Sequence, residues 1–351
     1  MRYFKILLPV IALVLAGQGC FSFGEKTTGN DGGVWKSTDA GLNWIQAVTL
    51  PTAQGVGSLA ITNIMDFAFD PQDELALYIG TRTNGMFFSY DGGVSWMQPR
   101  EAGMRTGQVS AVAVDPESKC TIYAVKTTQL AKSEDCGRTF DIGVYDETRP
   151  NVTITDLEVD DFNPDIVWIS TSEGDVIKSM DGGKTWVTKF RATSGIVKLM
   201  ISNADTRIVY ASTDRDGLAR TDDGGDNWVD LEKTMNDFST AKRTISLTQS
   251  GDGSIIVSAN KYGLLRSTTK GDSWEEVPLL TAAKEVDIPV VAFDPNNNAI
   301  LYYATEATFY STVDSGTNWQ ARRLPTGRTP TTLAVDPTDP NVLYLGSANF
   351  D

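Results

Sequence analysis

Ser179-Met180-Asp181-Gly182-Gly183-Lys184-Thr185-Trp186 is the stretch that decides the fold. It has the chemistry of a tight turn between two strands. Ser and Asp side chains accept hydrogen bonds from a turn's own amides. Gly supplies a φ > 0 position that other residues resist, and a closing Trp can shield the turn. Nothing in it requires catalysis; its meaning comes from recurrence. The pattern Ser/Thr-x-Asp-x-Gly-x-x-Trp returns around Asp39, Asp91, Asp135, Asp181, Asp223, Thr269 and Asp314, at intervals of 42 to 52 residues. Phe140 replaces Trp in the third copy and Thr269 replaces Asp in the sixth. Self-similarity at this period signals a propeller or a solenoid.

Ahead of each turn lies a second recurring block, as in Ala113-Val114-Asp115-Pro116 leading to Thr121-Ile122-Tyr123-Ala124, or Ala68-Phe69-Asp70-Pro71 leading to Ala76-Leu77-Tyr78-Ile79-Gly80. Each is an apolar strand, an Asp-Pro-type turn and another apolar strand. One unit is therefore four antiparallel strands, the third running into the turn motif and the fourth starting at its Trp. That describes a propeller blade. A helical solenoid would need long amphipathic runs, which are absent.

The ends set the blade count. The chain starts with a third strand at Gly33-Val34-Trp35-Lys36-Ser37. It finishes with a first and second, Leu333-Ala334-Val335-Asp336-Pro337 and Val342-Leu343-Tyr344-Leu345-Gly346. Together they complete one blade. The expectation is an all-β, seven-bladed propeller of four-stranded blades over residues 32–351, closed by N- and C-terminal strands that share a blade. Closure removes the exposed edges that invite aggregation.

Residues 1–20 are a targeting segment. Arg2 and Lys5 precede an apolar run from Ile6 to Ala16 that is short for a membrane span and ends at Gly17-Gln18-Gly19-Cys20. This resembles a lipoprotein signal with Cys20 as the lipidated residue; the alternative is an ordinary secretory signal cleaved nearby. Either implies export, to the cell envelope or beyond it. Residues 21–31 read as a flexible tether. The lipid anchor would then be the only membrane contact.

Acids outnumber bases 45 to 30, which argues against nucleic acid as a partner. There is no His, so Ser-His-Asp and Cys-His catalysis and His-ligated metals are excluded. No metal or cofactor is expected, and the protein is expected to be a monomer. With Cys20 lipidated, Cys120 and Cys136 remain, either as a disulfide in an oxidising compartment or as two separate buried thiols.

The turn motif resembles the Asp-box, or BNR repeat, along the whole mature chain. The resemblance implies that Asp39, Asp91, Asp135, Asp181, Asp223 and Asp314 are structural, on the face away from the usual binding site. The family includes sialidases, xyloglucan-active glycoside hydrolases, sortilin-type receptors and photosystem II assembly factors, so fold does not choose a function. The sialidase Phe/Tyr-Arg-Ile-Pro motif is absent, and sialidase rings have six blades. The xyloglucan hydrolases are similar to two facing propellers, with one catalytic Asp after a Tyr-Ala-Arg-Thr-Asp type segment. Tyr210-Ala211-Ser212-Thr213-Asp214 resembles it and nominates Asp214 as one catalytic carboxylate. Glycoside hydrolysis generally needs a second at a defined separation, and no convincing partner is visible. The photosystem assembly factors resemble this chain in size, in their single seven-bladed ring and in export. The resemblance implies a non-enzymatic scaffold whose client site is arginine-rich. The arginines here (Arg82, Arg100, Arg105, Arg215, Arg322, Arg323, Arg328) look scattered.

The strand order also predicts where a site lies. Loops between second and third strands, and between successive blades, share one face and converge on a central mouth. That face is expected to display Arg82, Asn84, Glu173, Asp175, Asp214, Arg215, Asp216, Lys261, Tyr262 and Glu306. The loops read as short, which favours a non-catalytic scaffold for a protein or glycan over a deep-clefted hydrolase.

Overall fold

The computed structural model describes residues 29–350. The targeting segment, Cys20 and most of the tether lie outside the described residues. The rest is a ring of seven blades. Blade 1 is shared between the termini, with strand order Ile45–Ala47, Val34–Ser37, Leu343–Ala348, Thr329–Val335. Val34 pairs with Gly346 and Ser37 with Leu343 in an antiparallel ladder. Blades 2 to 7 follow, their innermost strands being Ile64–Asp70, Ala111–Val114, Ile154–Val159, Ile196–Ile201, Thr244–Gln249 and Val290–Asp294. Each innermost strand contacts the next, and Thr329–Val335 meets Ile64–Asp70, so the ring closes.

Blade 2 departs from four strands. Ile64–Asp70, Asp73–Thr81 and Met86–Ser89 form a three-stranded sheet, and the fourth is reduced to one bridge between Phe88 and Met97. A hairpin, Thr49–Thr52 paired with Gly55–Ser58, stands beside it and has no counterpart in the repeat. Its base is fixed by Trp96, whose backbone amide donates to Thr49 O and whose indole donates to Ala47 O, both at 2.9 Å.

The turn motif builds the same object seven times. In the fourth copy, Gly183 N donates to Ser179 Oγ at 2.9 Å. Thr185 N and Oγ1 donate to the two oxygens of Asp181, at 2.8 and 2.6 Å. Two consecutive residues are left-handed, Gly182 at φ 69° and Gly183 at φ 92°. Where the first is not Gly, the bonds still hold the turn, with Ala40, Cys136, Lys270 and Ser315 at φ between 56° and 63°. In the sixth copy the Thr269 hydroxyl takes the carboxylate's place and accepts from Ser273 N at 2.9 Å. The turn also docks on the Asp-Pro-type turn of its own blade, Gly182 N donating to Asp165 O and Gly224 N to Arg207 O. At the equivalent place in blade 3, Cys136 N donates to Cys120 O, and the two cysteines form a disulfide.

Each blade is also clasped to the next. The residue before the motif's Ser or Thr is Lys36, Lys132, Lys178, Arg220 and Arg266 in blades 1, 3, 4, 5 and 6. Each cation reaches a carbonyl in the following blade's turn, as Lys178 Nζ does to Gly224 O at 2.8 Å and Lys36 Nζ to Gly92 O at 2.9 Å. Lys178 also lies over the Trp168 ring, 4.7 Å from its centroid. The closing Trp points the other way: the Trp186 indole donates to Val144 O and Trp319 to Pro278 O, each in the preceding blade. These two therefore fasten neighbouring blades besides shielding their own turns, whereas the indoles of Trp44 and Trp228 make no such bond.

Candidate functional site

Two polar groups sit where the innermost strands and the blade connections meet. The first lines the central channel, a cavity of about 370 Å³ between the innermost strands. Asp66 in blade 2 accepts from Val112 N of blade 3 at 2.8 Å, and Asp156 in blade 4 accepts from Leu199 N of blade 5 at 2.6 Å. Lys198 reaches Asp156 at 3.0 Å and Glu158 at 3.5 Å. Burial pushes Asp66 up to about 6 against the pull of Lys198, and pushes Glu158 up as well. Burial pulls Lys198 down, but Asp156, Glu158 and Asp66 outweigh it and hold it charged. These groups tie innermost strands to their neighbours. Among the described residues no group of three carboxylates or thiols is arranged to hold a metal ion.

The second is the mouth. Sequence reasoning expected short loops, but residues 231–243, between blades 5 and 6, form a longer connection with a short 3-10 turn, Glu232–Met235. It builds a recess of about 620 Å³ whose lining includes Asp214, Arg215, Phe238, Lys242, Arg243, Lys261 and Lys284. Five of its eleven lining side chains are cationic and one is acidic, in a chain whose net charge is −15. Lys261 ion-pairs with Asp287 and Lys242 with Glu232. Arg243 is exposed. Phe238 packs edge-on against Tyr262 at 5.4 Å, and Lys284 lies over the Tyr262 ring at 5.7 Å.

Of the residues nominated from sequence, Asp214, Arg215 and Lys261 meet in this recess. Asp214 and Lys261 also line the adjoining part of the central mouth, with Glu306. Asp214 is half-exposed and lies 3.3 Å from Arg215. Asp216 is near, with its carboxyl held below the usual range by Ser194 and by Thr193, whose hydroxyl donates at 2.6 Å. That makes Asp216 a fixed anion and a poor general acid. Tyr262 stands behind the recess and donates to Glu276 at 2.9 Å.

The others lie elsewhere. Glu173 is an exposed loop residue. Asp175 is no surface ligand: it is 1 % exposed and bridges Arg149 and Arg191, both at 2.5 Å. Arg149 is also hydrogen-bonded to Glu147, which it holds down at about 2. Arg82 sits across the ring, donating to Asn349 O and lying 5.4 Å from the Phe350 ring. Arg328 is buried at 5 % exposure. It donates to Asn63 Oδ1 at 2.8 Å, to Asp31 Oδ1 at 3.2 Å and to Gly29 O at 3.2 Å. Gly29 and Asp31, inside the stretch that the sequence reading gave to the tether, are therefore held against the ring. Sequence reasoning missed Phe238, Lys242, Arg243 and Lys284. The available signal was the length of the stretch between Asp230 and Thr244 and the Lys242-Arg243 pair inside it.

Residues 199–327 match the family model described as photosynthesis system II assembly factor YCF48. No curated protein matches the chain. Among solved structures, YCF48 bound to a D1 peptide aligns with TM-score 0.64 and 15% identity, covering 86% of this chain and 96% of that one. YCF48 from Cyanidioschyzon merolae aligns at 0.59 and 16%, covering 82% and 96%. The GH74 xyloglucanase from Xanthomonas campestris aligns at 0.66 and 17%, covering 82% and 51%, so the chain spans about half the length of that enzyme. At these identities the likeness to solved structures is one of fold. The recurring turns and the closed ring are those of a BNR/Asp-box type seven-bladed β-propeller, similar in fold to both the photosystem assembly factors and the xyloglucanases, with residues 199–327 carrying the match to the first.

Proposed function

We propose that the protein is an exported, non-catalytic scaffold that holds a protein client at its mouth, anchored to the membrane by lipid on Cys20. The observation that carries this reading is the recess between blades 5 and 6, where Arg215, Lys242, Arg243, Lys261 and Lys284 surround Phe238 in an otherwise acidic molecule. A cationic rim around an aromatic anchor suits recognition of a peptide bearing carboxylates. The fold likeness to YCF48 bound to a D1 peptide agrees with a protein client. Against hydrolysis, Asp214 faces Arg215 and its neighbour Asp216 is a held anion. A retaining or inverting pair needs one carboxyl poised to give a proton.

Two measurements test it. Incubation with xyloglucan and other glycans should release no reducing ends; release that disappears in Asp214→Ala would make the protein a hydrolase. A photo-cross-linker placed at Ser239 should capture a defined envelope protein. Capture should be lost when Arg243 and Lys284 are reversed to Glu, and capture that survives the reversal sinks the mouth as the client site.

A further inference from the structure

Blade 2 breaks the repeat in three ways at one place. Its clasp position holds Phe88 where blades 1, 3, 4, 5 and 6 hold Lys or Arg. Its fourth strand is a single bridge at Met97. The extra hairpin, Thr49–Thr52 with Gly55–Ser58, stands over the gap. The result is a groove of about 790 Å³ on the rim of the ring, far from the mouth recess in the chain and sharing none of its lining residues. Leu50, Phe88 and Met97 make its floor. Arg100, Arg105 and Arg138, all exposed, make its wall, and no Asp or Glu lines it.

The three guanidinium groups come from different places: the bend just after the reduced outer strand, the end of the short 3-10 turn Ala102–Met104 and the neighbouring blade's Asp-box. Arg138 donates to Asp135 O at 2.9 Å. None of the three is in an ion pair among the described residues. In a chain carrying 45 acids against 30 bases, unpaired cations gathered over an apolar floor are a local reversal of the surface field. Such a reversal selects partners by charge. Guanidinium forks suit carboxylates bidentately, Met adapts to varied apolar side chains, and a shortened outer strand leaves sheet edge for an extended chain to follow.

We propose that this groove is a second docking site, for an extended acidic polypeptide segment that alternates apolar and carboxylate side chains. The apolar residues lie on Leu50, Phe88 and Met97 while the carboxylates meet Arg100, Arg105 and Arg138. The apolar floor favours a polypeptide over an acidic polysaccharide, which has no side chains to bury there. The site is independent of the mouth and does not rest on the function proposed for it.

The test is fluorescence anisotropy with the full chain and a fluorescein-labelled peptide alternating Glu with Val. Saturable binding that weakens as salt rises is expected. Arg100→Glu/Arg105→Glu should weaken it about tenfold or more, with the melting temperature unchanged because both side chains are exposed. Arg100→Lys/Arg105→Lys should retain most of it, and Arg215→Glu/Arg243→Glu at the mouth should leave it intact. The proposal is overturned if a Lys-Val peptide binds equally well. It is also overturned if the mouth variant abolishes binding while the groove variant does not, or if polygalacturonate binds the groove more tightly than the acidic peptide.

Discussion

The two faces of the ring use the same residue types to opposite ends. On the Asp-box face the carboxylate that defines each motif is consumed by its own turn. Asp39, Asp181, Asp223 and Asp314 each accept from the amide four residues on at 2.8 Å and from that residue's side chain at 2.6 to 2.8 Å. On the mouth face no two positions agree. Asp175 is buried between two arginines, Asp214 lies half-exposed beside one, and Glu173 is exposed. Repetition marks groups whose bonding is satisfied locally, and those stabilise. Departure from the repeat, as in residues 231–243 or in blade 2, marks the places where charge and apolar surface are left for something else.

The contrast can be broken at several strengths. Deleting Leu343–Ala348 removes the strand between Thr329–Val335 and Val34–Ser37. It forfeits the burial of Leu343, Tyr344 and Leu345, all at 2 % exposure or less. At about 1.5–3 kcal/mol for each buried apolar side chain, the loss rivals the ~5–15 kcal/mol that holds an ordinary domain together. Circular dichroism should show no cooperative melt, and both faces should fail together.

Lys178→Met removes one clasp. The Gly224 carbonyl loses its charged donor and the Trp168 ring its cation, at a cost of about 2 kcal/mol in denaturant unfolding. Mouth binding should be unchanged. A loss of binding equal to the loss of stability would mean that the two faces are coupled.

Acidity separates the carboxylates further. Hydrogen bonds from Thr185 hold Asp181 at about 2, and those from Asn227 hold Asp223 at about 2. Their unfolded value is about 4. A depressed group contributes stability that is present above pH ~4 and lost as pH falls toward 2. Asp66 has the opposite sign. Held up to about 6 by burial, it contributes stability below its unfolded value that is lost as pH rises through 6. The melting temperature should therefore fall on the acid side for the turns and, more gently, between about pH 4 and 6 for the channel. Asp66→Asn should remove only the second slope.

The smallest effect should come from Thr269→Asp, which gives the sixth turn the two acceptors that the others have. Thr269 already accepts from Ser273 N, so the gain should be about 0.5 kcal/mol, seen as a slight rise in melting temperature. A fall would mean that this turn has repacked around the hydroxyl.

Much of the ring was legible in the chain because its signals are local. The motif around Asp181 states its turn in eight residues, and the strand fragments at Val34 and Leu343 announce the shared blade. The site was less legible because it is assembled from positions distant in sequence. Asp214, Arg215 and Lys261 fell on the predicted face, but nothing near Lys284 or Phe238 shows that they meet there. Asp175 looks like a loop carboxylate, and only the approach of Arg149 and Arg191 makes it an internal bridge.

The blade, the number of blades and the fate of the Asp-box carboxylates could be read along the chain, since each rests on bonds within a few residues or between adjacent strands. Where the cationic side chains gather could not, because that depends on how the closed ring packs. Arg100 and Arg105 read as scattered, and Arg138 drew no notice, until blade 2 gives up its outer strand and the hairpin closes over the gap. Arg328 reads as one more surface arginine until the ring buries it against Asp31 and Asn63. The physical reason is that hydrogen bonds within a turn are fixed by short-range chain geometry. The field at a groove sums over side chains that only the closed ring brings into reach.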